Sequence, residues 1–149
     1  MTSEGVNIVQ FRSTDQAGNV EETQSVTVKI DKTVPTLNVS SNPNVITDRN
    51  HSLIPIKALV DGADALSGFS MVELVSIESN QPDDGKGDGN KANDIQEADY
   101  VTFDTDFLLR AERSGRGDRV YTVTYKAWDI AGNFVMQTKQ IIVKHDNSK

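Results

Sequence analysis

The chain has 149 residues, 36% hydrophobic and 25% charged, which is enough apolar content to bury one sizeable core. A formal net charge of -7 leaves nucleic-acid phosphates without a basic surface and makes cations the better expected partners, while zero cysteines exclude disulfides and thiolate chemistry. No apolar run approaches the roughly 18 to 20 residues of a membrane span.

The start, MTSEGVN, lacks the basic and apolar regions of a signal peptide, and the chain reads as an internal piece of a longer one. Residues 9–20, VQFRSTDQAGNV, then match residues 123–134, VTYKAWDIAGNF, and VKID at 28–31 matches VKHD at 143–146. In both copies an alternating strand (Val9, Phe11, Ser13; Val123, Tyr125, Ala127) enters Asp-x-Ala-Gly-Asn and leaves as a second alternating strand, so each predicts a β-hairpin. The turn chemistry agrees: Asp15 and Asp129 can bond main-chain amides downstream, and Gly18 and Gly132 accept the left-handed conformation of a short hairpin loop.

DKTVPT at 31–36 reads as a linker, because Pro35 fixes an extended path and denies a ladder donor. Beyond it the strand-like segments are 37–40, 52–60, 69–79, 106–113, 119–129 and 135–144, separated by Gly, Asn, Asp and Pro, with no convincing helical period between them. The expected fold is all-β, an antiparallel β-sandwich over residues 35–146. Residues 1–34 are expected to be the C-terminal hairpin of a preceding repeat plus linker, and 147–149 a tail. Such a hairpin is marginal alone and is expected to dock, to pair with another chain, or to stay mobile.

With these pieces in place, the sequence resembles bacterial immunoglobulin-like repeat domains of secreted and cell-surface proteins. The resemblance rests on IDKTVPT (30–36), DALSG (64–68), SNQPDDGKGDGNKANDIQ (79–96), FLLRAERSGRGDRVYTVTY (107–125) and the closing WDIAGNF (128–134). It implies an immunoglobulin-like sandwich in an exported, non-catalytic module that spaces or displays neighbouring domains of the same chain, on a secreted or cell-surface protein. Two departures stand out, Trp128 before the hairpin aspartate and VITDRNH at 45–51.

The acidic stretch from Asp83 to Asp106 holds eight acids against Lys86 and Lys91, supplying -6 of the net -7. Within it Asp84, Asp88, Asn90, Asn93 and Asp94, interleaved with glycines, offer hard oxygens of the type calcium takes. Lys86 stands where an EF-hand needs a third-position ligand and Ile95 where it needs its twelfth, so the pattern is not an EF-hand. An irregular calcium loop and a solvated turn held by Asx bonds both remain open.

Arg116-Gly117-Asp118 spells an integrin-type motif but falls at an expected hairpin turn, which is the default reading. Trp128, the only tryptophan, falls on the strand face opposite Tyr121, Val123, Tyr125 and Ala127, where it can bind a glycan or cell-surface ligand or cover its own module. Only His51 and His145 are available as histidine bases, and no nucleophile elbow, zinc pair or phosphate loop accompanies them, so no enzyme is expected. Asp104 and Asp106, two apart, are expected to share one face of a strand.

Overall fold

The computed structural model describes residues 3–47, 51–83, 92–115 and 117–144. The described chain is all-β. It contains β1 (Gly5–Phe11), β2 (Gln24–Ile30), β3 (Thr36–Asn42), β4 (Val45–Thr47), β5 (Leu53–Ala63), β6 (Phe69–Ser79), β7 (Ile95–Gln96), β8 (Asp106–Arg110), β9 (Arg119–Asp129) and β10 (Phe134–Lys144). β1 and β2 form an isolated antiparallel hairpin, and the remaining strands form two four-stranded sheets, β4-β10-β9-β6 and β3-β5-β8-β7.

Strand β9 shows why these sheets stack. Its sequence, RVYTVTYKAWD, alternates large apolar residues with polar ones, and every second residue from Arg119 to Asp129 is buried. Tyr121, Tyr125 and Ala127 are fully buried against Ile141 and Val143 of β10, with Phe107 and Leu109 of β8, Ile56 and Ala58 of β5, and Leu74 of β6 in the same core. Each large side chain so buried contributes about 1.5–3 kcal/mol of transfer free energy. Both core phenols end on main-chain acceptors, Tyr121 on Arg110 O at 3.1 Å and Tyr125 on Asp104 O at 2.6 Å, so neither hydroxyl is stranded. Burial pushes both phenol pKa values upward.

Two local differences from the sequence expectation, and the place of Pro55 inside an expected strand, have physical causes. The chain leaves one sheet at the end of β3 and joins the other as β4, which pairs parallel with β10 through Val45–Thr47 and Ile142–Lys144, so the pairing is not wholly antiparallel. Such a three-residue strand is too short to show alternation. Pro55 sits inside β5 without breaking the ladder, because there the strand pairs with β8 alone and its other edge is free of β3, whose pairing begins at Lys57. Asp104 lies before β8, not on it; its carboxylate accepts from Asp99 N at 2.8 Å and Asp106 N at 3.1 Å, holding the turn that feeds the strand.

The hairpin is a copy of the closing pair of the sandwich. Asn7, Val9 and Phe11 of β1 share a face with Val26, Val28 and Ile30 of β2 by register, and the internal repeat aligns this face with Tyr121, Val123, Tyr125, Ile141 and Val143. In the sandwich those residues are buried; in the hairpin Phe11 is 53% and Val26 48% exposed.

Candidate functional site

Three aspartates converge where the hairpin meets the sandwich. Asp31 follows β2, Asp64 opens the DALSG loop between β5 and β6, and Asp129 closes β9 at the DIAGN turn; one oxygen from each lies within 4.8 Å of the others. Two of the three carboxylates are held by their own loops. Asp64 Oδ1 accepts from Leu66 N at 3.1 Å and Gly68 N at 2.9 Å, an Asx arrangement that curls the loop. Asp129 accepts from Asn133 N and Asn133 Nδ2, both at 2.8 Å. Gly132, with a φ of 96°, makes the turn that puts Asn133 there, and a side chain at that position would be strained.

Asp31 crosses between the two bodies. Its Oδ2 accepts from Ser67 N at 3.0 Å and Ser67 Oγ at 2.5 Å, its Oδ1 accepts from Thr33 N at 3.0 Å, and its carbonyl accepts from Asn133 Nδ2 at 3.0 Å. The Ser67 hydroxyl is the main reason its carboxyl pKa lies below the ordinary value. Glu4, just before β1, holds the linker to the hairpin, accepting from Lys32 N at 2.9 Å and the Thr33 hydroxyl at 2.6 Å, and the Thr33 bond lowers its pKa in turn. Ala131 N donates to Ser67 Oγ at 3.3 Å and Ile130 N to Gly68 O at 2.9 Å, so both loops of the sandwich are braced before the linker reaches them.

The first copy of the turn repeats this geometry without the partner. Asn19 N and Nδ2 donate to Asp15 at 2.8 and 2.9 Å, Asp15 N donates to Asn19 O at 2.9 Å, and Gly18 has a φ of 90°. Bonding from Asn19 lowers the Asp15 pKa. The two tips differ in that Asn133 also holds the carbonyl of Asp31.

The acidic stretch leads to the other end of the sandwich. Asp84, Asp88 and Asn90 lie outside the described residues, as does Arg116 of the Arg-Gly-Asp tripeptide. Asn93 has a φ of 60°, and its amide and that of Asp94 donate to the Asp83 carboxylate at 2.9 and 2.7 Å, which ties the chain before the loop to the chain after it. These two bonds lower the Asp83 pKa, the Asp94 amide most. Asp94 itself is 1% exposed, with Arg110 Nε 3.1 Å from Oδ1 and Arg119 Nη2 2.6 Å from Oδ2; the second contact is an ion pair whose N–H is not aimed along a hydrogen bond. Its charge is met by cations that the protein supplies. Arg110 continues to His51 O at 2.9 Å and Ala92 O at 3.1 Å, while His51 Nδ1 meets the buried Glu112 at 3.1 Å. His51 is thus a tether for its loop.

Trp128 occupies the outer face of its sheet, between Phe134 of β10 and Met71 of β6 by register. The Lys126 ammonium lies 4.6 Å from the centre of the Trp128 ring and 4.2 Å from that of Phe134. A cation so placed is attracted to both ring faces.

The sequence motifs foretold the hairpin tips but not the convergence at Asp31 and Asp64. IDKTVPT, DALSG and DIAGN each carry an aspartate, yet only the fold brings three segments so distant in the chain to one point. Neither a scan of protein-family models nor a search of the curated proteins found a match to this sequence.

Proposed function

We propose that this chain is a non-catalytic, immunoglobulin-like structural and display module of a secreted or cell-surface multidomain bacterial protein, in which the joint between successive modules sets their relative orientation. The observation that carries the reading is the linker tie: Asp31, at the end of one repeat's last strand, is held by Ser67 and Asn133 of the next sandwich. A module that spaces others needs such a joint, because relative motion of neighbouring domains is the default unless their contact resists it. Calcium belongs to this proposal as a stiffener. Its candidate seats are the carboxylate group at the joint and the acidic loop of Asp84, Asp88, Asn90 and Asn93, without Asp94, whose carboxylate already faces Arg110 and Arg119.

Residual dipolar couplings test the joint directly. One alignment tensor should fit both hairpin and sandwich in the parent chain, and two should be needed for Asp31→Ala; two tensors in the parent chain would remove the proposal. Binding of a glycan or host surface through Trp128 is the competing reading. Lys126 already occupies ring faces of Trp128 and Phe134, which disfavours sugar stacking there. Saturable binding on a glycan array, lost in Trp128→Ala, would reverse that preference.

A further inference from the structure

The two sheets of the sandwich leave part of one side open. β5 pairs with β8 through Leu53–Lys57, with one further bond from Ala58 N to Thr105 O at 2.7 Å, and beyond that point, among the described residues, it pairs with β3 alone. β6 has β9 on one side. On its outer edge Leu74 exchanges bonds with the passing chain, donating to Thr102 O at 2.8 Å and accepting from Val101 N at 2.9 Å, while residues 69–73 meet no strand there among the described residues. Two unpaired strand edges therefore face the same opening.

Between them lies a cavity of about 430 Å³, lined by Val60, Asp61, Gly62, Phe69, Val72 and Phe103 among others. One wall is fixed by close packing: a Cβ on Gly62 would stand 2.3 Å from the Phe69 ring, so the missing side chain is what lets that ring approach the strand. Phe103 stands at the edge of the cavity, 60% exposed. Unpaired main chain beside an apolar slot is the arrangement that an extended peptide uses when it adds to a sheet: ladder bonds supply affinity, and alternate side chains enter the slot.

Charge selects the peptide. Asp61 is the charged side chain among the lining residues, and Phe103 is followed directly by Asp104. Lys57, on the same strand as Asp61, is engaged with Asp106 at 3.0 Å. We propose that this slot is a strand-addition site for an extended apolar peptide segment flanked by lysine or arginine. The inference does not rest on the module reading, and either can fail alone.

The probe is a fluorescent seven-residue peptide of alternating valine and threonine with a lysine at each end, titrated with the intact chain and followed by anisotropy. Saturable binding is expected, weakened at least tenfold by Asp61→Lys or Phe103→Ser and unchanged by Met136→Ser on β10, away from the slot-lining residues. The same peptide with alternate amides N-methylated should not bind, because it cannot form the ladder, and a version ending in glutamates should bind at least tenfold more weakly. Absence of saturation overturns the proposal. So does equal binding of the N-methylated or glutamate peptide, or a loss on Met136→Ser as large as that on Phe103→Ser. Dimerisation of the chain that Phe103→Ser abolishes would give the slot to a second copy and overturn the peptide as its occupant.

Discussion

Asn133 uses one side-chain nitrogen twice, donating to Asp129 in its own turn at 2.8 Å and to the main-chain carbonyl of Asp31, 102 residues away, at 3.0 Å. The turn aspartate orients the amide, and the amide holds the linker. Asn19 repeats the first bond without the second, so the two asparagines separate turn stability from docking. Asn133→Ala should therefore raise amide exchange across the linker and lower the melting temperature of the sandwich, with a loss of about 1 kcal/mol as for a typical hydrogen bond. Asn19→Ala should affect exchange at its own tip and leave the sandwich transition in place. Equal effects of the two variants on the main transition would show that the contact with Asp31 contributes nothing.

The acid dependence of the joint follows from the lowered pKa of Asp31. Its ordinary value is 3.8, and the Ser67 hydroxyl moves it below that by favouring the charged form. A carboxyl with a depressed folded-state pKa contributes stability that is present above the unfolded value and is lost as pH falls through the folded value. Parent chain and Asp31→Asn should thus differ most in stability near neutral pH and converge as pH falls through the lowered folded-state value. Denaturation at several pH values measures this, and a constant difference down to pH 2 would exclude Asp31 ionisation as its source.

Asp94 faces two guanidinium groups while almost wholly buried. Removing one partner of such a cluster leaves the others buried and uncompensated, at a cost of about 3–5 kcal/mol. Asp94→Ala should lose stability on that scale in urea unfolding. Replacing Lys57, whose pair with Asp106 is 64% and 65% exposed, should change stability by no more than about 1 kcal/mol. The neck of the acidic loop should also lose amide protection at Asn93 and Asp94 in the first variant, since Arg110 would no longer be held against that segment. Retained protection there would mean that Asp83 alone closes the loop.

Much of this fold was legible because alternation survives wherever one face of a strand is buried. β9 is written residue by residue in RVYTVTYKAWD, and the segment read as 69–79 coincides with β6. β4 and β7 left no such trace, having three and two residues, and β8 ends at Arg110 where apolar lettering continues to Ala111. Polar anchors were harder still. Asp94 reads as a cation ligand from its neighbours in the chain, and its surroundings become visible only when β8 and β9 bring Arg110 and Arg119 to it. The meeting of Asp31, Asp64 and Asp129 was equally hidden, because it joins a linker, a β5–β6 loop and a hairpin tip.

The calcium stiffening proposed for this module yields a prediction that also separates its two seats. Three carboxylate oxygens within 4.8 Å repel one another, and a bound divalent cation would relieve that repulsion while adding hard-oxygen bonds. The melting temperature should rise in millimolar calcium and return on chelation. A ligand that binds only the folded state at about 100 times its Kd stabilises it by about 2.7 kcal/mol, a shift well within reach of calorimetry. Asp64→Asn should abolish the response if the joint is the seat, and Asp88→Asn together with Asp84→Asn if the acidic loop is. The joint should respond in a second observable as well, since calcium there would slow amide exchange at Lys32 and Thr33, whereas calcium in the loop would slow it at Asn93. A melting curve indifferent to both calcium and chelator would remove the cation from the proposal and leave the hydrogen-bonded tie through Ser67 and Asn133 as the whole of the joint.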